Sequence, residues 1–168
     1  MNQYFILIPA YKPNNSMLPF LEELKTLDAR ILVVNDGSGP QYADIFRRTR
    51  QMGIDVIEHA VNQGKGRALK TGLNAALNLW PDLSGVVTAD ADGQHTLRDI
   101  LRLIEAMREH PNALVLGSRE FTGDVPFKSR WGNRITRFVY ALASGVHVSD
   151  TQTGLRGLPA CAIPAMIT

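Results

Sequence analysis

The stretch GVVTADADGQH, residues 85–95, ends an apolar run on two aspartates one residue apart, Asp90 and Asp92, with Gly93 directly after them. Alternation along a strand turns Asp90 and Asp92 to one side and Ala91 into the fold. Two carboxylates on one side repel each other unless something positive lies between them. They suit a hard divalent cation, Mg2+ or Mn2+, which takes oxygen ligands and completes its shell with substrate phosphates. Gln94 adds a neutral oxygen and His95 an imidazole. The plainer reading is a polar turn with an aspartate capping the next helix. Thr96 is itself a good cap, however, so the aspartates are not needed for that task.

Asn35-Asp36-Gly37-Ser38 reads either as a strand-ending turn or as a carboxylate placed to accept from the N–H of a nucleotide base. Asn62-Gln63-Gly64-Lys65-Gly66-Arg67 is a glycine-flanked lysine opening a helix, a setting that suits phosphate. It lacks the GxxxxGK[ST] spacing of a Walker loop, and no GxGxxG follows the first apolar run, which weakens ATPase and dinucleotide readings. In KSRWGNRITRFVYALASGV, Arg130, Arg134 and Arg137 share one helical face beside an apolar face of Trp131, Ile135, Phe138 and Leu142. Such a helix either lies on an anionic membrane or phosphorylated acceptor, or packs on the core with a solvated basic side. Arg119 and Arg156 extend the cationic set. His59, His110 and His147 are scattered and receive no role.

The elements that must position these residues alternate. Strand-like runs at 4–8, 31–34, 54–59, 85–89 and 113–117 are separated by helical patterns. The helices begin near Ser16 with Leu18, Leu21 and Leu24, then carry Tyr42, Ile45 and Phe46, then Ala68, Leu69, Leu73, Ala76 and Leu77, then Leu97, Leu101, Ile104 and Met107. This β-α-β-α rhythm predicts an α/β fold, a mostly parallel central sheet with helices on both faces. Beyond Arg119 the rhythm gives way to a loop, one more helix from about Trp131 and an irregular tail. The polar residues all fall just past the carboxyl ends of the strands: Tyr11-Lys12, Asn35–Ser38, Asn62–Arg67, Asp90–His95 and Ser118-Arg119. In open α/β sheets ligands bind at that edge, so five loops converge on one crevice.

A chain of 168 residues, 45% hydrophobic and 20% charged, is long enough for one domain with its own core. A formal charge of +2 is too small to argue for nucleic acid. The single Cys161 excludes an internal disulfide and a cysteine-built zinc site, which fits a reducing compartment. The first residues lack the pattern of a signal peptide, and no run approaches the ~18 apolar residues of a membrane span. LPACAIPAMIT stops in apolar sequence, as if cut from something longer.

With IPAY, VVNDGS, NQGKGRAL, TADADGQH, LGSRE and DTQTGLRG in this order, the chain resembles a family 2 glycosyltransferase of the GT-A, Rossmann-like nucleotide-sugar-binding fold. Within that family it is most similar to the dolichyl-phosphate mannose synthase-like branch, which moves sugars from nucleotide sugars to polyprenyl phosphates. The resemblance covers nearly the whole chain and implies one GT-A-like domain over 1–168, truncated at its C-terminus. It implies a nucleotide pocket of Pro9, Ala10, Tyr11, Asp36, Lys65, Asp90 and Ala91, with Asp36 on the base. Asp90, Asp92 and Gln94 would hold the cation, Mg2+ or Mn2+, that bridges the diphosphate. Catalysis would rest on Asp92, Arg119, Arg130 and Asp150, and acceptor phosphate on Arg134 and Arg156. Pro13 departs from the acidic residue of many relatives.

The resemblance further implies metal-dependent transfer, with inversion, from a GDP- or UDP-sugar to a dolichyl or undecaprenyl phosphate, at the cytoplasmic face of a membrane. A phosphate monoester is mostly dianionic at neutral pH and needs no general base; it needs its charge offset, a task for arginines. One alternative is a saccharide-hydroxyl acceptor, with Asp150 as base. Another is a non-catalytic nucleotide-sugar-binding domain, and a sugar-1-phosphate nucleotidyltransferase is disfavoured by the missing glycine-rich loop.

Overall fold

The computed structural model describes residues 3–27, 29–117 and 154–168. Strands β1 (Gln3–Ala10), β2 (Arg30–Asp36), β3 (Asp55–His59), β4 (Leu83–Thr88), β5 (Val115–Leu116) and β6 (Arg156–Pro159) form one sheet in the order β3-β2-β1-β4-β6-β5. β1 pairs in parallel with β2 and β4, and β2 with β3. β6 runs antiparallel between β4 and β5. Helices α1 (Met17–Leu24), α2 (Ala43–Gln51), α3 (Lys65–Leu79) and α4 (Leu97–Glu109) fill the connections, and a short helix covers Ile163–Ile167.

Apolar runs buried on both faces make β1, β2 and β4, and the pleat sorts their side chains. Tyr4, Ile6 and Ile8 of β1 and Ile31 and Val33 of β2 join one core with Met17, Leu21, Phe46, Ile100 and Met107 of α1, α2 and α4. Phe5, Leu7, Leu32 and Val34 join the other with Ala68, Leu73 and Ala76 of α3 and with Ile163. Gly72 lets α3 lie directly on β1: a Cβ there would come within 2.2 Å of Leu7 Cδ1. Among the described residues no helix is long and apolar enough to cross a membrane.

The expected alternation and the four helices are present. The tail is not irregular. Arg156–Pro159 is a sheet strand, although its sequence holds a glycine and a proline, because docking between β4 and β5 supplies ladder partners on both sides. The helix expected from Trp131 lies outside the described residues.

The chain lays down β1, β2 and β3 outward in one direction, then crosses back to place β4 on the other flank of β1. The β1/β4 boundary is therefore the topological switch point, where the loops at the strands' carboxyl ends diverge and leave a crevice.

Candidate active site at the carboxyl edge of the sheet

Four of the five expected loops lie in the described residues, and hydrogen bonds lace them together. The Lys12 N–H, at the end of β1, donates to Ser38 Oγ past the end of β2 at 2.9 Å. Lys12 takes a positive φ of 48° there. The Ser16 hydroxyl, at the head of α1, donates to the Asp92 carbonyl at 2.7 Å. The Thr88 hydroxyl donates to the Gly154 carbonyl at 2.9 Å and ties β4 to the segment entering β6. Pro9 and Ala10 close β1 opposite Val34 and Asn35, while Tyr11 stands 48% exposed with the Lys12 ammonium 5.1 Å from its ring.

Asp90 sits where these elements meet. Its Oδ1 is paired with Lys65 Nζ at the head of α3, and its Oδ2 lies 3.6 Å from Nε2 of the buried His95. His95 beside it, then Lys65, hold this carboxyl far below the usual aspartate range against the opposing pull of burial. At 3.6 Å the His95 contact is longer than an ordinary hydrogen bond, and among the described residues Nε2 has no closer hydrogen-bond partner. The third wall of the Asp90 niche is backbone. A Cβ on Gly154 would lie 2.0 Å from Asp90 Oδ2 and 2.3 Å from its Cγ. The glycine of DTQTGLRG therefore packs on the first aspartate of TADADGQH.

Asp92 is held differently. β4 ends at Thr88, so strand alternation does not reach the two aspartates, and a turn sets their directions instead. Asp92 Oδ1 accepts from the Gln94 N–H at 3.0 Å, and Gly93 turns the chain at φ 72°. Ala91 packs partly buried against the core. Thr96 caps α4 as expected, its hydroxyl accepting from the Asp99 N–H at 3.2 Å. The residues expected to hold a cation are thus one strongly ionised carboxylate, a second in the adjoining turn, and Gln94. Among the described residues no group of three His, Cys, Asp or Glu forms a ready cage. A hard cation of the Mg2+ type asks for less, one or two carboxylates with substrate phosphates completing the shell, and this donor set fits it.

Asp36 was expected on a base, but the structure gives it a task inside the protein. It is 2% exposed, with Oδ1 accepting from the Gln63 N–H at 2.9 Å and Oδ2 from the Gly64 N–H at 2.8 Å. His59 Nδ1 stands 2.7 Å from Oδ1. Burial pushes its pKa up, but the Gln63 amide, His59 and the Gly64 amide outweigh burial and hold it below the usual range. Gly37 allows the loop to close on it: a Cβ there would meet the Val61 carbonyl carbon at 2.2 Å. His59, given no role in the sequence, is the residue that reading missed. A lone histidine at a strand end carries no local signal, and its partners Asp36 and Thr71 are 23 and 12 residues away.

Arg156 opens β6 opposite Thr88, which puts it at the same edge. Arg119, Arg130, Arg134 and Asp150 lie outside the described residues.

The chain spans 64% of an uncharacterised protein of Methanocaldococcus jannaschii, 31% identical over 160 residues and 92% of this chain. The UDP-N-acetylglucosamine–dolichyl-phosphate N-acetylglucosaminyltransferase of Methanococcus voltae is 29% identical over 96% of this chain and 71% of its own length. The undecaprenyl-phosphate 4-deoxy-4-formamido-L-arabinose transferase of Edwardsiella ictaluri is 29% identical over 96% of this chain and 50% of its own. In fold alone, the crystal structure of 4-diphosphocytidyl-2C-methyl-D-erythritol synthase matches with a TM-score of 0.59 over 99% of this chain and 79% of that one, at 14% identity. The model of the glycosyl transferase family 2 matches residues 5–160, and the chain belongs to that family.

Proposed function

We propose that this chain carries the donor site of an enzyme that transfers a sugar from a nucleotide-diphosphate sugar to a polyprenyl phosphate. The observation that carries the reading is the Asp90 niche at the switch point, where an ionised carboxylate and a lysine at a helix head share one contact. Family membership and the names of the dolichyl- and undecaprenyl-phosphate relatives support the substrate classes.

The residues would divide the work by charge. Asp90, Asp92 and Gln94 would hold a divalent cation; bound, it would act as a Lewis acid on the donor diphosphate. Lys65 would exchange Asp90 for the donor's phosphates, beside the first amides of α3, which helix geometry leaves without intrahelical partners. The acceptor phosphate, mostly dianionic at neutral pH, attacks the anomeric carbon with an oxygen lone pair. The bond from that carbon to the nucleoside diphosphate breaks, its electron pair leaves on the diphosphate, and the anomeric configuration inverts. No proton has to be removed, so no base is required. Asp92, Arg119, Arg130 and Asp150 are assigned to catalysis and Arg134 and Arg156 to the acceptor phosphate, and the work is done at a membrane surface.

The test pairs binding with turnover. Thermal unfolding with GDP, UDP, ADP and CMP, each with and without Mn2+, should show one nucleotide stabilising the protein in a cation-dependent way. At about 100 times its Kd a ligand adds ~2.7 kcal/mol. The effect should vanish in Asp90→Asn/Asp92→Asn. The matching nucleotide sugar and a short polyprenyl phosphate should then yield a sugar-phosphate lipid. Transfer to a saccharide hydroxyl with none to the lipid would overturn the acceptor assignment.

A further inference from the structure

Behind the donor edge lies a part-buried polar row that the reaction does not use: Thr71, His59 and Asp36. His59 Nε2 is 3.0 Å from Thr71 Oγ1, and Nδ1 is 2.7 Å from Asp36 Oδ1. The side chains of His59 and Asp36 are 7% and 3% exposed. The order hydroxyl, imidazole, carboxylate is that of a nucleophile relay, but the imidazole and carboxylate are enclosed and spent on internal hydrogen bonds. Their work is mechanical.

An ionised carboxylate only accepts, so the Nδ1 facing Asp36 carries the ring proton, and in the neutral ring Nε2 accepts from the Thr71 hydroxyl. That bond fixes the imidazole, and the imidazole fixes Asp36. Asp36 in turn holds the amides of Gln63 and Gly64, the two residues before Lys65. Gly64 takes a φ of 90° at the N-cap of α3, and no side chain of its own caps the helix. The head of α3 is therefore set from outside, by a carboxylate of β2 held by a histidine of β3. Thr71, roughly two turns into α3, anchors the same helix at a second point.

We infer that His59 is a positioning residue for the donor's phosphates: through Asp36 it fixes the Gln63-Gly64 turn that aims Lys65 and the first amides of α3 into the crevice. This rests on the nucleotide-sugar reading for its ligand, though not for the clamp itself. It also explains why Asp36 is buried rather than open to a base.

The experiment measures amide exchange at Gln63 and Gly64 by NMR, with no ligand, and the Kd of the nucleotide picked out by thermal unfolding. His59→Phe keeps a ring and removes both bonds. Exchange at both amides should rise about tenfold or more, and so should Kd, the factor expected for losing a hydrogen bond to a charged group. His59→Asn keeps a donor at the Nδ1 position and should recover most of both. Thr71→Val cuts only the outer bond, so it should match His59→Asn in exchange and in Kd. A Phe46→Leu control, in the opposite core, should lower Tm without moving either readout.

Wild-type exchange and Kd in a folded His59→Phe would overturn the inference. If that variant does not fold, wild-type values in His59→Gln, which keeps a polar group at the Nε2 position and loses the contact with Asp36, would do the same. Wild-type protein that binds no nucleotide would sink the donor reading and with it the ligand half of this inference, while the exchange rates would still decide the clamp.

Discussion

Replacing Gly154 by alanine adds one methyl group, and the structure says where it lands. The new Cβ would lie 2.0 Å, 2.3 Å and 2.5 Å from Oδ2, Cγ and Oδ1 of Asp90, whereas ordinary contact begins at 3.4 Å. Gly154 does not use a left-handed φ, so alanine costs the backbone little and the effect is steric. Three atoms of a short side chain cannot all step aside by a small rotation. Asp90 has to leave its rotamer and retreat by about 1.4 Å at Oδ2, giving up Lys65 and the His95 niche. Stability should change little. The Lys65 side chain is 55% exposed, and an ion pair so open contributes at most ~1 kcal/mol. Activity should change a great deal, because a displacement of about 1 Å in a positioning group costs on the order of 100-fold. On the proposed function, transfer from nucleotide sugar to polyprenyl phosphate, measured beside urea unfolding, should therefore fall by roughly that factor in Gly154→Ala with the unfolding midpoint nearly unmoved. A folded Gly154→Ala within threefold of wild type would refute the placement of Asp90 against this glycine.

Four other variants probe contacts elsewhere in the fold. Thr96→Ala removes the cap of α4 and should cost about 1 kcal/mol, read by denaturant unfolding. Gly72→Ala, pressed against Leu7, should cost ~1–3 kcal/mol, whereas Gly66→Ala, where a Cβ meets nothing within 4 Å, should add about 0.5–1 kcal/mol. The folded pKa of Asp36 is depressed, so its charged form contributes stability above the unfolded value of ~3.9, and that contribution is lost as pH falls through the folded value. Unfolding measured from pH 7 downward should show Asp36→Asn less stable than wild type at neutrality, with the gap closing below about pH 4.

The first four strands were legible because each is an apolar run followed by a helical period, and the ligand edge because polar clusters sit after every such run. β6 was not, since Arg156-Gly157-Leu158-Pro159 has one large apolar residue and becomes a strand only by docking between β4 and β5. Gly85 and Gly157 matter there because Met107 lies over both, at 2.5 Å from either added Cβ. The 113–117 run was read as a strand and pairs only at Val115-Leu116. Asp90 could be singled out from spacing, but its partners Lys65 and Gly154 come from a distant loop and from beyond residue 153. For Asp36 the local signal pointed toward a turn. The donors that bury it are 27 and 28 residues ahead, where periodicity says nothing.

The antiparallel strand also orders assembly in time. β1 to β4 pair among themselves within residues 3–88, so this four-stranded parallel unit can close while later segments are still being synthesised. The free flank of β4 waits for β6, whose link through Thr88 and Gly154 spans 66 residues. Closing so long a loop is entropically costly and slow compared with local pairing. Until it closes, the edge of β4 is unpaired and Asp90 lacks its backbone wall. A nascent chain therefore passes through a stage with a folded Rossmann-like half, an exposed strand edge open to misassociation, and an unfinished site. On the proposed function, donor binding waits for β6, so a ribosome-stalled chain ending before Gly154 should be folded in part and inert.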